Sequence, residues 1–405
     1  MATKIVQIDL TQPIAPVDGL DGFAHVWILV RYGGRPLGWV QFARTLAGER
    51  VMPEQIRSLV VQRLGPAVWE ALVNGPPVKP AHRPPMSVIV CTRDHPDQLQ
   101  RQLASLAKLD HPQWEVVVVD NAPTTDRTRQ VCDQFPFVRY VLERRPGLDY
   151  ARNTGWRSAR HDIVAYTDDD AVVEPGWLTA LGGPFEDPRV WCTTGVTFPL
   201  ELATDAQECF ELYGGFCRGF RRKVYRPGPW SRGVPLGSGQ FGSGVNMALR
   251  KGFLERVGGF DDALDTGSLA RGGGDLDIFA RTLRHGGTLV YEPQAVVWHE
   301  HRRTMRQLKR QMFDYGYGFY AYLTKYDGDP QLARYAADLK RFWVRFWGWQ
   351  RLRRNFKLML KGKPYFPLNL ILREMVGMLF GPRAYARSVE AVRQRAQQQG
   401  ATEAA

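Results

Sequence analysis

The chain has 405 residues, 44% of them hydrophobic and 12% aromatic, which suits a large core and exceeds one average domain. Its net charge is +13, yet the stretch from Arg302 to Arg395 alone carries +15, leaving about −2 for the remainder. The charge therefore bears on partners of the C-terminal part and excludes a chain that is basic throughout.

No N-terminal stretch joins a basic start to an apolar run and a small-residue cleavage site, so no signal peptide is expected. No run of 18 apolar residues predicts a spanning helix. Cys91, Cys132, Cys192, Cys209 and Cys217 are odd in number and lack metal-type spacing, which fits reduced thiols in the cytoplasm.

Residues 1–75 read as a small α+β accessory domain. Residues 25–32 and 36–42, joined through Gly33-Gly34, predict a hairpin. Pro53 to Val73 has helical periodicity, with Ile56, Leu59, Val60, Leu64, Val68 and Leu72 on a broad apolar face. Residues 76–85 form a Pro-rich linker. No function follows from these residues.

From Met86 the pattern becomes β-α-β. Residues 87–91, 114–120 and 138–141 read as strands, with helices over 95–108 and 125–135 between them. Such alternation predicts a mostly parallel sheet with helices on both faces, and ligands in such sheets bind beyond the carboxyl ends of the strands. The polar groups just after the strands are Thr92-Arg93-Asp94, Asp120-Asn121 and Asp168-Asp169-Asp170. Three adjacent carboxylates after the apolar run 163–166 repel one another. A hard divalent cation would compensate them; an acidic turn at a strand end is the plainer reading.

Eight motifs extend this picture: residues 87–94, Val118-Val119-Asp120-Asn121, residues 145–155, Thr167-Asp168-Asp169-Asp170, residues 242–248, Gly258-Gly259-Phe260-Asp261, residues 272–277 and Val297-Trp298-His299. In this order and approximate spacing, residues 86–301 resemble an inverting family 2 glycosyltransferase of GT-A fold. The resemblance implies a nucleotide diphosphate sugar donor, Mg²⁺ or Mn²⁺, and a hydroxyl acceptor on a polysaccharide or lipid-linked glycan. It implies that Thr92, Arg93, Asp120, Gly147, Arg152, Asn153, Asp168 and Asp169 meet the nucleotide sugar, with Asp168 at the ribose. It further implies that Asp170 and His299 hold the metal and that Asp275 is the general base. Each position also has a bland reading: a helix cap for Asp120, a structural ion pair for Arg152, a helix-start acid for Asp275, a packed ring for His299. Gly274 departs from the family pattern, which has Glu there to help place the acceptor. A nucleotide-sugar-binding module with reduced catalysis is therefore the alternative. A glycoside hydrolase using Asp170 and Asp275 fits the motifs less well. Gly237 to Gly244, after Trp230-Ser231-Arg232, is either a loop that closes over the donor or an ordinary connection.

Residues 302–396 form a basic, aromatic helical region and 397–405 a tail expected to lack structure. Arg and Lys alternate with Phe342, Trp343, Phe346, Trp347 and Trp349. An anionic membrane surface suits this mixture, as does packing on the catalytic domain, and nothing resembles a nucleic-acid fold. The expected location is cytoplasmic, peripheral at the inner face of the membrane.

Overall fold

The structure, a computed structural model, describes residues 2–43, 50–228, 236–362 and 366–403. Strand β1 (Ala2–Asp9) pairs in parallel with β2 (Phe23–Tyr32), which forms the expected hairpin with β3 (Arg35–Ala43). Helix α1 (Pro53–Asn74) lays Ile56 and Val60 on Val26, Ile28 and Val40 of this sheet. The unit is fastened to the larger sheet by the Arg31–Glu174 ion pair and by Trp39, whose ring meets Phe198 edge-on at 5.2 Å.

The β-α-β pattern continues as expected: β4 (Met86–Thr92), α2 (Pro96–Leu106), β5 (Trp114–Asn121), α3 (Arg127–Cys132), β6 (Val138–Glu143), α4 (Leu148–Ser158) and β7 (Ile163–Asp168). A short β8 (Ala171–Val173) and α5 (Trp177–Gly182) follow, then β9 (Val190–Pro199), α6 (Asp205–Tyr213), β10 (Lys223–Tyr225), β11 (Met247–Arg250), α7 (Lys251–Val257), α8 (Gly274–Arg284) and β12 (Thr288–His299). The sheet runs β10-β12-β9-β11-β7-β4-β5-β6, with β8 on β12. The pairs β7–β4, β4–β5, β5–β6 and β9–β12 are parallel, while β11 runs antiparallel between β7 and β9. Two reversals restore direction, so β4, β5, β7, β9 and β12 all end at one edge. Val, Ile and Leu side chains bury both faces of the central strands, as a sheet covered on both sides requires.

After β12 come α9 (Met305–Lys325), α10 (Ala333–Phe342), a π-helical stretch Trp343–Gly348, α11 (Trp349–Leu360) and α12 (Leu368–Glu403). Helix α12 lies along α9, where Gly316, Gly377 and Gly381 bring the two backbones close; a Cβ at any of them would sit 2.4 Å or less from a carbonyl oxygen of the other helix. Residues 397–403, expected to lack structure, continue α12. Gln397, Gln398, Gln399, Ala401 and Glu403 have good helix propensity, which Gly400 and Thr402 oppose only in part. Among the described residues, no helix is long and apolar enough to cross a membrane.

Candidate active site

The carboxyl edge of the sheet gathers most of the expected groups. Strand β7 ends at Asp168, and the chain turns into β8 through Asp169 and Asp170. The register of β8 on β12 sets Ala171 opposite His299, and Glu300 N donates to Asp170 O at 2.9 Å. This pairing brings the turn to the last residue of β12. As a result, ligand atoms of Asp168, Asp170 and His299 all lie within 4.8 Å of one another. His299 Nε2 stands 3.1 Å from Asp170 Oδ1, and the Phe216 ring meets the imidazole edge-on at 5.2 Å.

The electrostatics of this cluster are unbalanced. Burial works against the Asp170 charge, but His299 and Arg302 outweigh it and hold that carboxyl low, at about 2. Burial and the Asp170 charge push Asp168 up, to about 7. Burial opposes a charged His299, yet Asp170 beside it pulls its pKa upward. Arg302 approaches Asp170 Oδ2 only to 3.8 Å and is half exposed. Two carboxylates and an imidazole converging with too little positive charge suit a hard divalent cation.

Asp169 points elsewhere. Its Oδ2 accepts from Thr92 Oγ1 at 2.6 Å and meets His95 Nδ1 at 3.1 Å. Thr92 is buried, while Arg93 is exposed at the same strand end. At the end of β5, Asp120 is fully buried; Tyr140 Oη donates to its Oδ2 at 3.0 Å, and among the described residues its Oδ1 has no hydrogen-bond partner. Burial raises the Asp120 pKa. Its neighbour Asn121 accepts from Gly147 N at 2.9 Å and donates to Arg145 O at 2.7 Å, shaping the loop before α4. Gly147 has φ +147°, and the Cβ of any residue at the facing Gly267 would stand 2.8 Å from its Cα.

Arg152 and Asn153 both lie inside. Arg152 Nη1 donates to Asp149 Oδ1 at 2.9 Å and to Asp265 Oδ2 at 2.5 Å. Asn153 donates to Phe260 O and Asp262 Oδ1 and accepts from Phe260 N and Trp156 Nε1, so its amide is fully used in holding the Gly258–Asp262 loop. Asp275 opens α8. Gly244 N donates to its Oδ2 at 2.9 Å and Leu276 N to its Oδ1 at 2.8 Å. Burial, then the Asp265 charge, raises its pKa. Gly274 is explained by the same cluster: a Cβ there would sit 2.2 Å from Asp149 Oδ2 and 2.7 Å from Asp265 Oδ2. Two carboxylates from other segments fill the space where the resemblance leads one to expect a Glu side chain.

Asp149, Asp265, His95 and Arg302 escaped the sequence reading. Asp149 lies within a recognised motif and was open to detection. Asp265 lies outside every motif and enters only through a turn in which its own φ is +64°. The glycine-rich run Gly237 to Gly244 lies wholly within the described residues. There Ser238 Oγ and Tyr322 Oη are 3.0 Å apart and Phe241 is fully buried; Trp230-Ser231-Arg232 lie outside the described residues.

Comparison with known proteins agrees with this geometry. Residues 87–257 match the model of glycosyl transferase family 2. A pre-mycofactocin glycosyltransferase of Mycobacterium tuberculosis is 28% identical over 260 residues, covering 62% of this chain and 50% of the relative. A glucosyl-dolichyl phosphate glucuronosyltransferase of Haloferax volcanii is 27% identical over 186 residues, covering 44% and 56%. The chain thus spans about half the length of the curated relatives it matches. A mannosyltransferase of Pyrobaculum calidifontis, solved with GDP-Man and Mn²⁺, superposes with a TM-score of 0.52 at 20% identity, over 80% of this chain and 97% of that one. The sheet order, the strand-end acids and the family match together show that this chain carries a family 2 glycosyltransferase domain of GT-A fold.

Proposed function

We propose that the chain is a metal-dependent inverting glycosyltransferase. It moves a sugar from a nucleotide diphosphate sugar to a hydroxyl of a polysaccharide or lipid-linked acceptor, at the cytoplasmic side of a membrane. The observation that carries this reading is the convergence of Asp168, Asp170 and His299 on the sheet edge that also bears Asp120. Mg²⁺ or Mn²⁺ on Asp170 and His299, with Asp168 close enough to join, supplies charge neutralisation for the departing diphosphate.

The protein's own groups do the rest. Asp120 Oδ1, buried and without a hydrogen-bond partner among the described residues, accepts a donor N–H from the nucleobase edge. Tyr140 holds the other carboxylate oxygen and so fixes its aim. Arg93, Arg302 and the exposed side of His95 bring donors and positive charge to the diphosphate side. Thr92 and Asp169 stiffen the strand ends beneath, and Arg152 and Asn153 hold the walls of the site. Asp275 takes the acceptor proton. The two backbone N–H groups on its oxygens orient it, and its raised pKa makes it a stronger base than an exposed carboxylate. The inverting course is what the resemblance to family 2 implies; in it the acceptor hydroxyl, losing its proton to Asp275, attacks the anomeric carbon directly.

The alternative, a binding module with lost catalysis, rested on Gly274. Asp149 and Asp265 bring carboxylates to that space, which favours an enzyme with a rearranged acceptor wall. A panel of nucleotide diphosphate sugars, with and without Mn²⁺, tests the choice. Release of nucleoside diphosphate is expected. Thermal stabilisation by a donor with no release under any acceptor condition supports the module instead.

A further inference from the structure

The C-terminal helices sort their aromatic residues into two sets. Trp343 and Trp347 turn inward. Trp343 packs against Phe319 at 4.9 Å and Trp347 at 4.7 Å, and Trp347 meets Tyr213 edge-on. Arg351 lies over the Tyr213, Trp347 and Phe366 rings, and Asn355 Oδ1 accepts from Phe366 N at 2.7 Å. These contacts fix α11 to the body of the molecule, so the turning of α11 is set from inside.

The other set faces out. Phe342, Phe346, Trp349, Phe356 and Leu360 follow one another at spacings of four, three, seven and four residues, which puts them along one side of α10 and α11. The π-helical stretch between the two helices lies within this run, and Phe342 and Phe346 stack across it at 5.6 Å. Helix α12, whose Met375 touches Gly348, carries a second outward stripe of Leu372, Val376, Leu379 and Phe380. All nine side chains are between 44% and 74% exposed. Isolated exposed apolar residues are ordinary; two stripes on touching helices are not.

Charge identifies the occupant. From Lys340 to Arg387 there are twelve Lys or Arg and a single acid, Glu374. Glu374 is buried and accepts from Tyr213 Oη at 2.6 Å, so it offers no negative charge to the surface. Arg353, Arg354 and Lys357 are exposed on α11 beside the apolar stripe, and among the described residues they make no ion pair. A ridge of Phe, Trp and Leu flanked by unpaired cations matches a helix lying in the headgroup region of an anionic bilayer. A polyphosphate chain has use for the cations and none for the ridge.

We infer that the outward face of α10, α11 and α12 docks this protein on an anionic lipid surface, with Trp349 and the Phe and Leu side chains in the interface and Arg353, Arg354 and Lys357 at the headgroups. The inference stands on these helices alone and does not depend on the transferase reading.

The test is sedimentation of the full chain with sucrose-loaded vesicles, of phosphatidylcholine alone or mixed with phosphatidylglycerol. Binding is expected only with phosphatidylglycerol, and it should weaken as salt rises because exposed charges are screened beyond about 10 Å at 0.1 M. The pair Leu360→Glu and Leu379→Glu alters two of the most exposed positions. It should lower vesicle binding at least tenfold with an unchanged melting temperature. Phe346→Glu with Phe356→Glu is a second, independent pair with the same expected result. Failure of the folded wild type to sediment at low salt overturns the inference. So does wild-type binding by both pairs, and so does tight binding of single-stranded DNA with none to vesicles. Nucleoside diphosphate release, followed in the same preparations, reports on the transferase reading separately.

Discussion

Two buried acidic clusters, one at the sheet edge and one on the buried side of α8, use the same residue types to opposite ends. Asp277, on the buried side of α8, is ion-paired to Arg281 at 2.7 Å and Lys325 at 2.8 Å and accepts from Tyr326 Oη at 2.7 Å. Lys325 also reaches Asp261, which in turn accepts from Tyr385. Burial opposes the Asp277 charge, but Arg281 and Lys325 more than offset it and hold the carboxyl below its ordinary range. Among the described residues, Asp168 and Asp170 have one direct ionic partner, His299; Arg302 stands farther off, and the Arg152 charge that also acts on Asp168 is bound to Asp149 and Asp265. The comparison teaches that burial alone does not mark a functional carboxylate. The mark is charge left uncompensated at an edge where ligands bind.

The largest expected effect lies on the acceptor side. Asp275→Asn keeps the shape and cannot take a proton. Transfer should fall by about 10²–10⁴-fold while donor affinity stays near wild type. Loss of donor binding instead would move Asp275 into the nucleotide site. Asp170→Ala should cost about two orders of magnitude in rate, and EDTA should silence the wild type. The melting temperature of Asp170→Ala should fall slightly at neutral pH, since the carboxylate removed is one whose charge His299 and Arg302 stabilise. An unchanged rate at saturating Mn²⁺ contradicts the assignment.

Asp277→Asn should behave in the reverse way. It leaves Arg281 and Lys325 short of their partner, so a stability loss of about 3–5 kcal/mol is expected, with the rate of the folded fraction preserved. Linkage adds a pH signature. The Asp277 pKa is depressed in the folded state, so its contribution is present above the unfolded value and is lost as pH falls through the folded one. Chemical denaturation across acid pH should show that slope in the wild type and a weaker one in the variant.

The smallest effect concerns the pH profile. As the proposed base, Asp275 would have to be ionised to act, and burial together with the Asp265 charge raises its pKa. Transfer should therefore decline on the acid side at a higher pH than an ordinary carboxylate would impose. Asp265→Asn removes one like charge and should shift that limb to lower pH. A limb that does not move means that Asp265 does not act on the base.

Much of this was legible in the sequence because it rests on local pattern. The strands β4, β5 and β7 are continuous Val and Ile runs, and the acids follow them directly. The register that brings His299 to Asp170 is set by β8, three residues long, which no pattern announces. Strand β1 escaped because a parallel edge strand leaves no hairpin signal. Trp343, Trp347 and Trp349 look alike in sequence. Only the packing of α9 and α6 against this segment decides that the first two turn inward, half-buried, and the third is surface. Asp265 is a further case, since its meeting with Arg152 spans 113 residues and depends on a turn.

The sheet-edge cluster, and not the ion-paired cluster around Asp277, is the one proposed to hold a divalent cation for a nucleoside diphosphate. The most direct measurement is an electron paramagnetic resonance titration of Mn²⁺ into the full chain with UDP or GDP present. One bound Mn²⁺ per chain is expected for the wild type and for Asp277→Asn, and severe loss of binding for Asp170→Ala. Binding by Asp170→Ala equal to the wild type, or no binding by the wild type with either nucleotide, would contradict that proposal.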